Sequence, residues 1–186
     1  MLSAVALAAC SKSPTSPTPV ATPAPAPLPA SPASPALTFA TTTVSFSSDP
    51  DHYVGRGKSL TLTPQEATFD VQMSPNQGQL WVEARVKNST PLSFWMFKVM
   101  TPNFGATRIV PGTFETGRDP LSPAWFFDFG GDARGCTATA HLVIHSFELV
   151  PGTSTLRSFR ASFEKHHCDG RSPSMRGEIA ILDPWK

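Results

Sequence analysis

The sequence predicts an all-β domain, an antiparallel two-sheet β-sandwich of jelly-roll-like form with about nine strands. Three observations predict it. From Thr38 onward no window sustains apolar residues at helical spacing, several windows alternate at period two, and Pro, Gly and Asp clusters punctuate the chain at the spacing of short strands. The 186 residues, 40% of them hydrophobic, suffice for one domain with a sizeable core. Nine of the 20 prolines fall between Ser11 and Leu37, so composition separates a disordered Pro-rich tether, 11–37, from the β domain, 38–186.

Taken in order, Thr43 to Ser47, Ser59 to Thr63 and Thr68 to Met73 read as short early strands, divided by turn clusters at Asp49-Pro50 and Thr63-Pro64-Gln65. In Leu80 to Val86, Leu80, Val82, Ala84 and Val86 face one way and Trp81, Glu83 and Arg85 the other, the pattern of a half-buried strand. Phe94 to Met100 and Trp125 to Phe129 read as apolar on both faces, which predicts strands covered on both sides. Thr137 to Leu149 is long enough to span a whole sheet. Phe159, Ala161 and Phe163 alternate with polar neighbours, and Arg176 to Leu182 closes the domain. Pro111-Gly112 and Pro151-Gly152, both in a Val-Pro-Gly-Thr context, suit type II turns.

Lys12 is the only charged residue before Thr38, so the β domain carries 14 basic and 14 acidic residues. Zero net charge with scattered basic residues excludes nucleic acid as the expected partner, because phosphate binding needs a clustered cationic excess.

The chain opens MLSAVALAAC, a short apolar run ending Leu7-Ala8-Ala9-Cys10. It resembles the lipobox of bacterial lipoprotein precursors, in which the Cys is acylated and the signal is cleaved before it. The resemblance implies residues 1–10 as the signal segment, Cys10 as the lipidation site and a membrane partner reached through a lipid anchor. No Lys or Arg precedes the apolar run, which predicts a start codon upstream. Residues 11–37 then read as the tether of such a lipoprotein, extended at about 3 Å per residue. By the family's sorting logic Ser11, in place of Asp, implies the outer membrane.

With Cys10 acylated, Cys136 and Cys168 form an even set in an oxidising compartment and are expected to pair. Such a bridge contributes about 3–4 kcal/mol by the chain-entropy model. Zinc on His166-His167-Cys168 is disfavoured, because adjacent residues on a strand point to opposite faces.

Three stretches carry a further resemblance: Ser48-Asp49-Pro50-Asp51-His52-Tyr53-Val54-Gly55, Arg134-Gly135-Cys136-Thr137, and Ser162 to Gly170 followed by Arg176-Gly177-Glu178-Ile179. Together they resemble a disulfide-stapled β domain of unassigned function found in exported bacterial proteins. The resemblance implies export, a β fold and the Cys136 to Cys168 bridge.

Catalytic signatures are absent: no nucleophile elbow, no His-Glu-x-x-His, no Gly-rich phosphate loop. Glu115, Asp119, Asp128, Glu148 and Glu164 leave glycosidase chemistry open. Trp81 on the polar face of its strand, flanked by Glu83 and Arg85, is the candidate ligand-binding group, since an indole there can stack on a sugar ring. The alternative is that a loop covers Trp81. Trp95 and Trp125 are expected in the core. Asp49 and Asp51, with Asp132, offer carboxylates for calcium, although an Asp-capped turn explains the spacing as well. Neither a cofactor nor a bound metal is expected. The sequence therefore points to a non-enzymatic envelope lipoprotein whose domain meets a glycan or an envelope protein. A polysaccharide hydrolase and a passive surface element are the alternatives.

Overall fold

The computed structural model describes residues 41–136, 138–168 and 173–183. Cys10, the signal segment, the tether and Trp185 lie outside the described residues. The all-β expectation holds. The strands are β1 (Thr43–Ser48), β2 (Ser59–Leu62), β3 (Ala67–Met73), β4 (Gln79–Val86), β5 (Phe94–Met100), β6 (Gly112–Gly117), β7 (Trp125–Gly131), β8 (Ala138–Leu149), β9 (Leu156–Cys168) and β10 (Met175–Leu182).

They form a single hydrogen-bonded order, β2-β1-β10-β9-β8-β6-β7-β5-β4-β3. Every pairing is antiparallel except β6 with β7, which run parallel over Thr116↔Trp125 and Gly117↔Phe126. The sheet is therefore mixed, with ten strands where about nine antiparallel ones were expected. Among the described residues that short parallel pairing is the one hydrogen-bonded strand connection between its two halves, β2-β1-β10-β9-β8-β6 and β7-β5-β4-β3.

Aromatic side chains show how the halves share one core. Phe46 of β1 meets Trp95 of β5 at 4.3 Å between ring centroids and Phe129 of β7 at 5.3 Å. Phe127 meets Phe163 of β9 at 4.9 Å, and Phe97 meets Phe159 at 5.7 Å. All of these rings are buried, each contributing about 1.5–3 kcal/mol of apolar transfer energy. The arrangement is sandwich-like across the core while remaining one connected sheet.

Period-two alternation is realised in β4, where Leu80, Val82 and Ala84 are buried and Trp81 and Arg85 exposed. It also governs β5 and β7, which corrects the reading of strands covered on both faces. Trp95, Phe97 and Val99 are inside, whereas Met96 and Lys98, and Phe126 and Asp128 of β7, are only half-buried on the outer face. Trp125 is likewise half-buried, stacked on Phe114 at 3.9 Å.

The two Val-Pro-Gly-Thr tetrapeptides differ. At Val150 the turn is made as expected: Thr153 donates its amide to the Val150 carbonyl and Gly152 takes φ +76°. At Val110 no turn forms, and Gly112 instead begins β6, paired with Ile144 of β8. Between β2 and β3, Glu66 accepts the Thr63 amide and hydroxyl while the Thr63 hydroxyl accepts the Gln65 amide, a reciprocal cap for the tight turn.

Candidate functional site

Strand register assembles a polar row across the outer face of the β3-β4-β5-β7 half. Gln72 lies opposite Trp81, Trp81 opposite Lys98, and Lys98 opposite Asp128. One step along, Asp70 lies opposite Glu83 and Glu83 opposite Met96. Since side chains two residues apart share a face, the rows form one continuous platform. Trp81 is 37% exposed and lines a groove of about 300 Å³ with Gln72, Ser74, Gln79 and Lys98. The Lys98 ammonium sits 5.6 Å from the Trp81 ring centroid, in a cation–π contact.

Of the residues singled out from sequence, Glu83 and Arg85 share this face with Trp81 and pair with each other at 2.5 Å. Gln72, Lys98 and Asp128 join them through register, which no single-strand pattern shows. Burial raises the Asp128 carboxyl above its ordinary value, against the Phe129 amide and Lys98, which lower it. Its Oδ1 is buried without a hydrogen-bond partner among the described residues. Beside the groove, the Gln79 amide donates to the Phe104 carbonyl at 3.0 Å and the Asn76 amide to the Gly105 carbonyl at 2.6 Å. These bonds hold a turn in which Asn103 and Phe104 both take positive φ, leaving the Phe104 side chain exposed.

The outer face of the other half carries a second groove, of about 480 Å³. Ser45, Ser47, Ser59, Thr61 and Ser162 give it a hydroxyl floor, and Glu164, Arg176 and Glu178 stand around it. Glu178 accepts from Arg160 at 2.5 Å.

The Asp49 and Asp132 carboxylates are each engaged elsewhere. Asp49 accepts the Ser174 amide at 2.7 Å, which holds its carboxyl below the ordinary value. Asp132 pairs with Lys58 at 2.5 Å and accepts the Ser93 hydroxyl at 2.6 Å. Among the described residues Asp49, Asp51 and Asp132 form no cluster of ligating atoms.

The Cys136 to Cys168 disulfide is formed, across 32 positions of sequence. Against it lies a buried polar cluster: His166 packs beside the bridge, as its place near Cys168 in sequence suggests, whereas His52 is a member that sequence reasoning missed. His166 and Cys168, two apart on β9, both point inward, and His52 arrives from the loop after β1. The Gly55 amide donates to His52 Nδ1 at 3.0 Å, so the ring carries its hydrogen on Nε2 and donates it to the His166 carbonyl at 3.0 Å. Burial lowers the His52 pKa. Burial, then the neighbouring His52, push the His166 imidazole down to about 3, so it is neutral. The available signal was that the Asp-His-Tyr-Val-Gly and His-His-Cys stretches each bear an unexplained imidazole.

No family model, curated protein or solved structure matches this chain.

Proposed function

We propose that the chain is a lipid-anchored envelope protein, acylated at Cys10 and sorted to the outer membrane, whose β domain binds a glycan on the platform around Trp81. The single observation carrying the glycan reading is an exposed indole set in a row of hydrogen-bonding side chains, Gln72, Lys98 and Asp128, on the outer face of the sheet. Sugar rings present one apolar C–H face and a rim of hydroxyls. An aromatic plane takes the first, and carboxylate, amide and ammonium groups take the second. The rigid sheet fixes their spacing, so little ordering entropy is lost on binding.

The test is titration calorimetry against a panel of envelope and environmental polysaccharides, with Trp81→Ala beside the unaltered chain. Saturable binding, weakened at least about tenfold by Trp81→Ala, is the expected result; about 1.4 kcal/mol corresponds to that factor. A panel with no binder, or a binder indifferent to the substitution, sinks the reading. The anchor is tested by intact mass of membrane-purified protein, which should begin at Cys10 with acyl chains attached and yield two alkylatable thiols only after reduction.

One observation favours a second reading, a polysaccharide hydrolase. Glu164 and Glu178 both border the hydroxyl-lined groove, as diagonal neighbours across the β9–β10 pair with Ser162 opposite Glu178. Release of reducing ends from the same panel, abolished by Glu164→Gln, would favour it over simple binding.

A further inference from the structure

We propose that the His52, His166, Cys136 and Cys168 side chains form a redox-gated site for a thiophilic cation of the Zn²⁺ type, closed while the disulfide stands and opened by its reduction. Ligating atoms of His52, His166 and Cys168 all lie within 4.8 Å of one another and all three residues are buried. The fourth donor is given by the covalent bond itself, since Cys136 Sγ is bonded to Cys168 Sγ.

Distances among these atoms approach those of a coordination tetrahedron. With Zn–N near 2.05 Å and Zn–S near 2.3 Å, the edges of a two-His, two-Cys tetrahedron are about 3.3 Å for N to N and about 3.6 Å for N to S. His166 Nδ1 stands 3.3 Å from His52 Nε2, and Cys168 Sγ stands 3.8 Å from the same nitrogen. The sulfur pair must separate, to about 3.8 Å by the same arithmetic, and the edge between His166 and Cys168, which lies within 4.8 Å, must close to about 3.6 Å. A disulfide sulfur is a poor donor and a thiolate a strong one, so the bond itself is the gate.

The imidazoles differ in readiness. His52 donates from Nε2, so the nearby His166 Nδ1 presents a lone pair and His166 carries its own hydrogen on Nε2. That tautomer is the one Nδ1 coordination requires. His166 Nε2 is fully buried and has no hydrogen-bond partner among the described residues, so hydrogen bonding to a protein acceptor does not explain the group. His52 must rearrange: its Nε2 hydrogen leaves, the ring is protonated at Nδ1, and the Gly55 amide gives up its acceptor.

The chemistry balances with a named reductant. A dithiol passes two electrons to the Cys136–Cys168 bond and becomes a cyclic disulfide, leaving two thiols in the protein. The cation then binds two thiolates and two neutral imidazoles, and two protons are released.

The full chain, oxidised or reduced with a phosphine, is titrated with Co²⁺ under argon. The phosphine takes an oxygen from water to become its oxide and does not compete strongly for the metal. The reduced chain is expected to take up one equivalent, with thiolate-to-cobalt charge transfer and the visible bands of tetrahedral Co²⁺, all erased by Zn²⁺. The oxidised chain is expected to show none of these. His52→Gln and His166→Gln, each first checked for native circular dichroism when oxidised, should weaken uptake at least about tenfold. Cys136→Ser should bind without reductant, because Cys168 is then free beside both imidazoles. Failure of the reduced chain to bind, or binding untouched by both histidine substitutions, overturns the proposal. Uptake by the oxidised chain equal to that of the reduced one overturns the gate.

Discussion

At the scale of single residues, contacts too close for a side chain decide more than propensity does. A Cβ built on Gly131 would lie 2.2 Å from Cε3 of Trp95, a buried ring packed against both Phe46 and Phe129. Gly135, four residues on, meets nothing within 4 Å of the same construction. Gly131→Ala is expected to cost about 3 kcal/mol, the upper range of overpacking, and Gly135→Ala within about 0.5 kcal/mol of nothing. Urea unfolding of the two variants separates them, and equal midpoints would refute the packing argument. Trp81 is the opposite case, an indole placed where the fold gains little from it. Trp81→Ala should change stability by less than about 1 kcal/mol, so that any loss of glycan affinity reports the surface and not the fold.

Elements show where a one-strand reading succeeds and where it stops. Phe94–Met100 was legible to the residue, because a compact apolar run bounded by Pro91 and Pro102 leaves little choice. Gly112–Gly117 was not, since Gly-Thr-Phe-Glu-Thr-Gly carries one large apolar group between two glycines. It is a strand because β8 presents a long edge along one side of it and β7 pairs with its end on the other. The same context dependence splits the Val-Pro-Gly-Thr repeats. Val150 stands between two strands that pair with each other, so the tetrapeptide closes a hairpin; Val110 precedes a strand whose partner lies further along the chain. Trp81 and its two flanking charges were visible in one strand, whereas Lys98 and Asp128 needed the register of two more. Gly152, at φ +76°, should resist replacement: Gly152→Ala is expected to cost about 1–2 kcal/mol, seen as a lower urea midpoint with an unchanged slope. A loss below about 0.3 kcal/mol would mean that the turn relaxes to a different type.

Over the whole molecule, the buried end at His52, His166 and the disulfide couples stability to solution conditions. Removing the bridge with Cys136→Ser and Cys168→Ser together should lower unfolding free energy by about 3–4 kcal/mol, because the loop it closes spans 32 positions. Acid acts on the same region with a definite sign while the bridge is intact. An unfolded His166 titrates at its ordinary value of 6.5, and in the fold at about 3, so between those limits the unfolded chain holds more protons than the folded one. Stability conferred by the neutral imidazole is therefore complete above pH 6.5, falls as pH is lowered toward 3, and changes no further below it. The slope from this one group is at most about 1.4 kcal/mol per pH unit. His52, lowered by burial as well, adds to the fall. Asp128, raised by burial, opposes it, since protonation relieves a carboxylate whose Oδ1 has no partner among the described residues. Unfolding free energies of the oxidised chain at a series of pH values between 7 and 4, compared with those of His166→Leu, isolate the term. The substitution removes the titrating ring while keeping the site apolar, so the variant's curve should be the flatter of the two. Parallel curves would mean that His166 already meets water or an acceptor at low pH, and that burial does not hold it neutral.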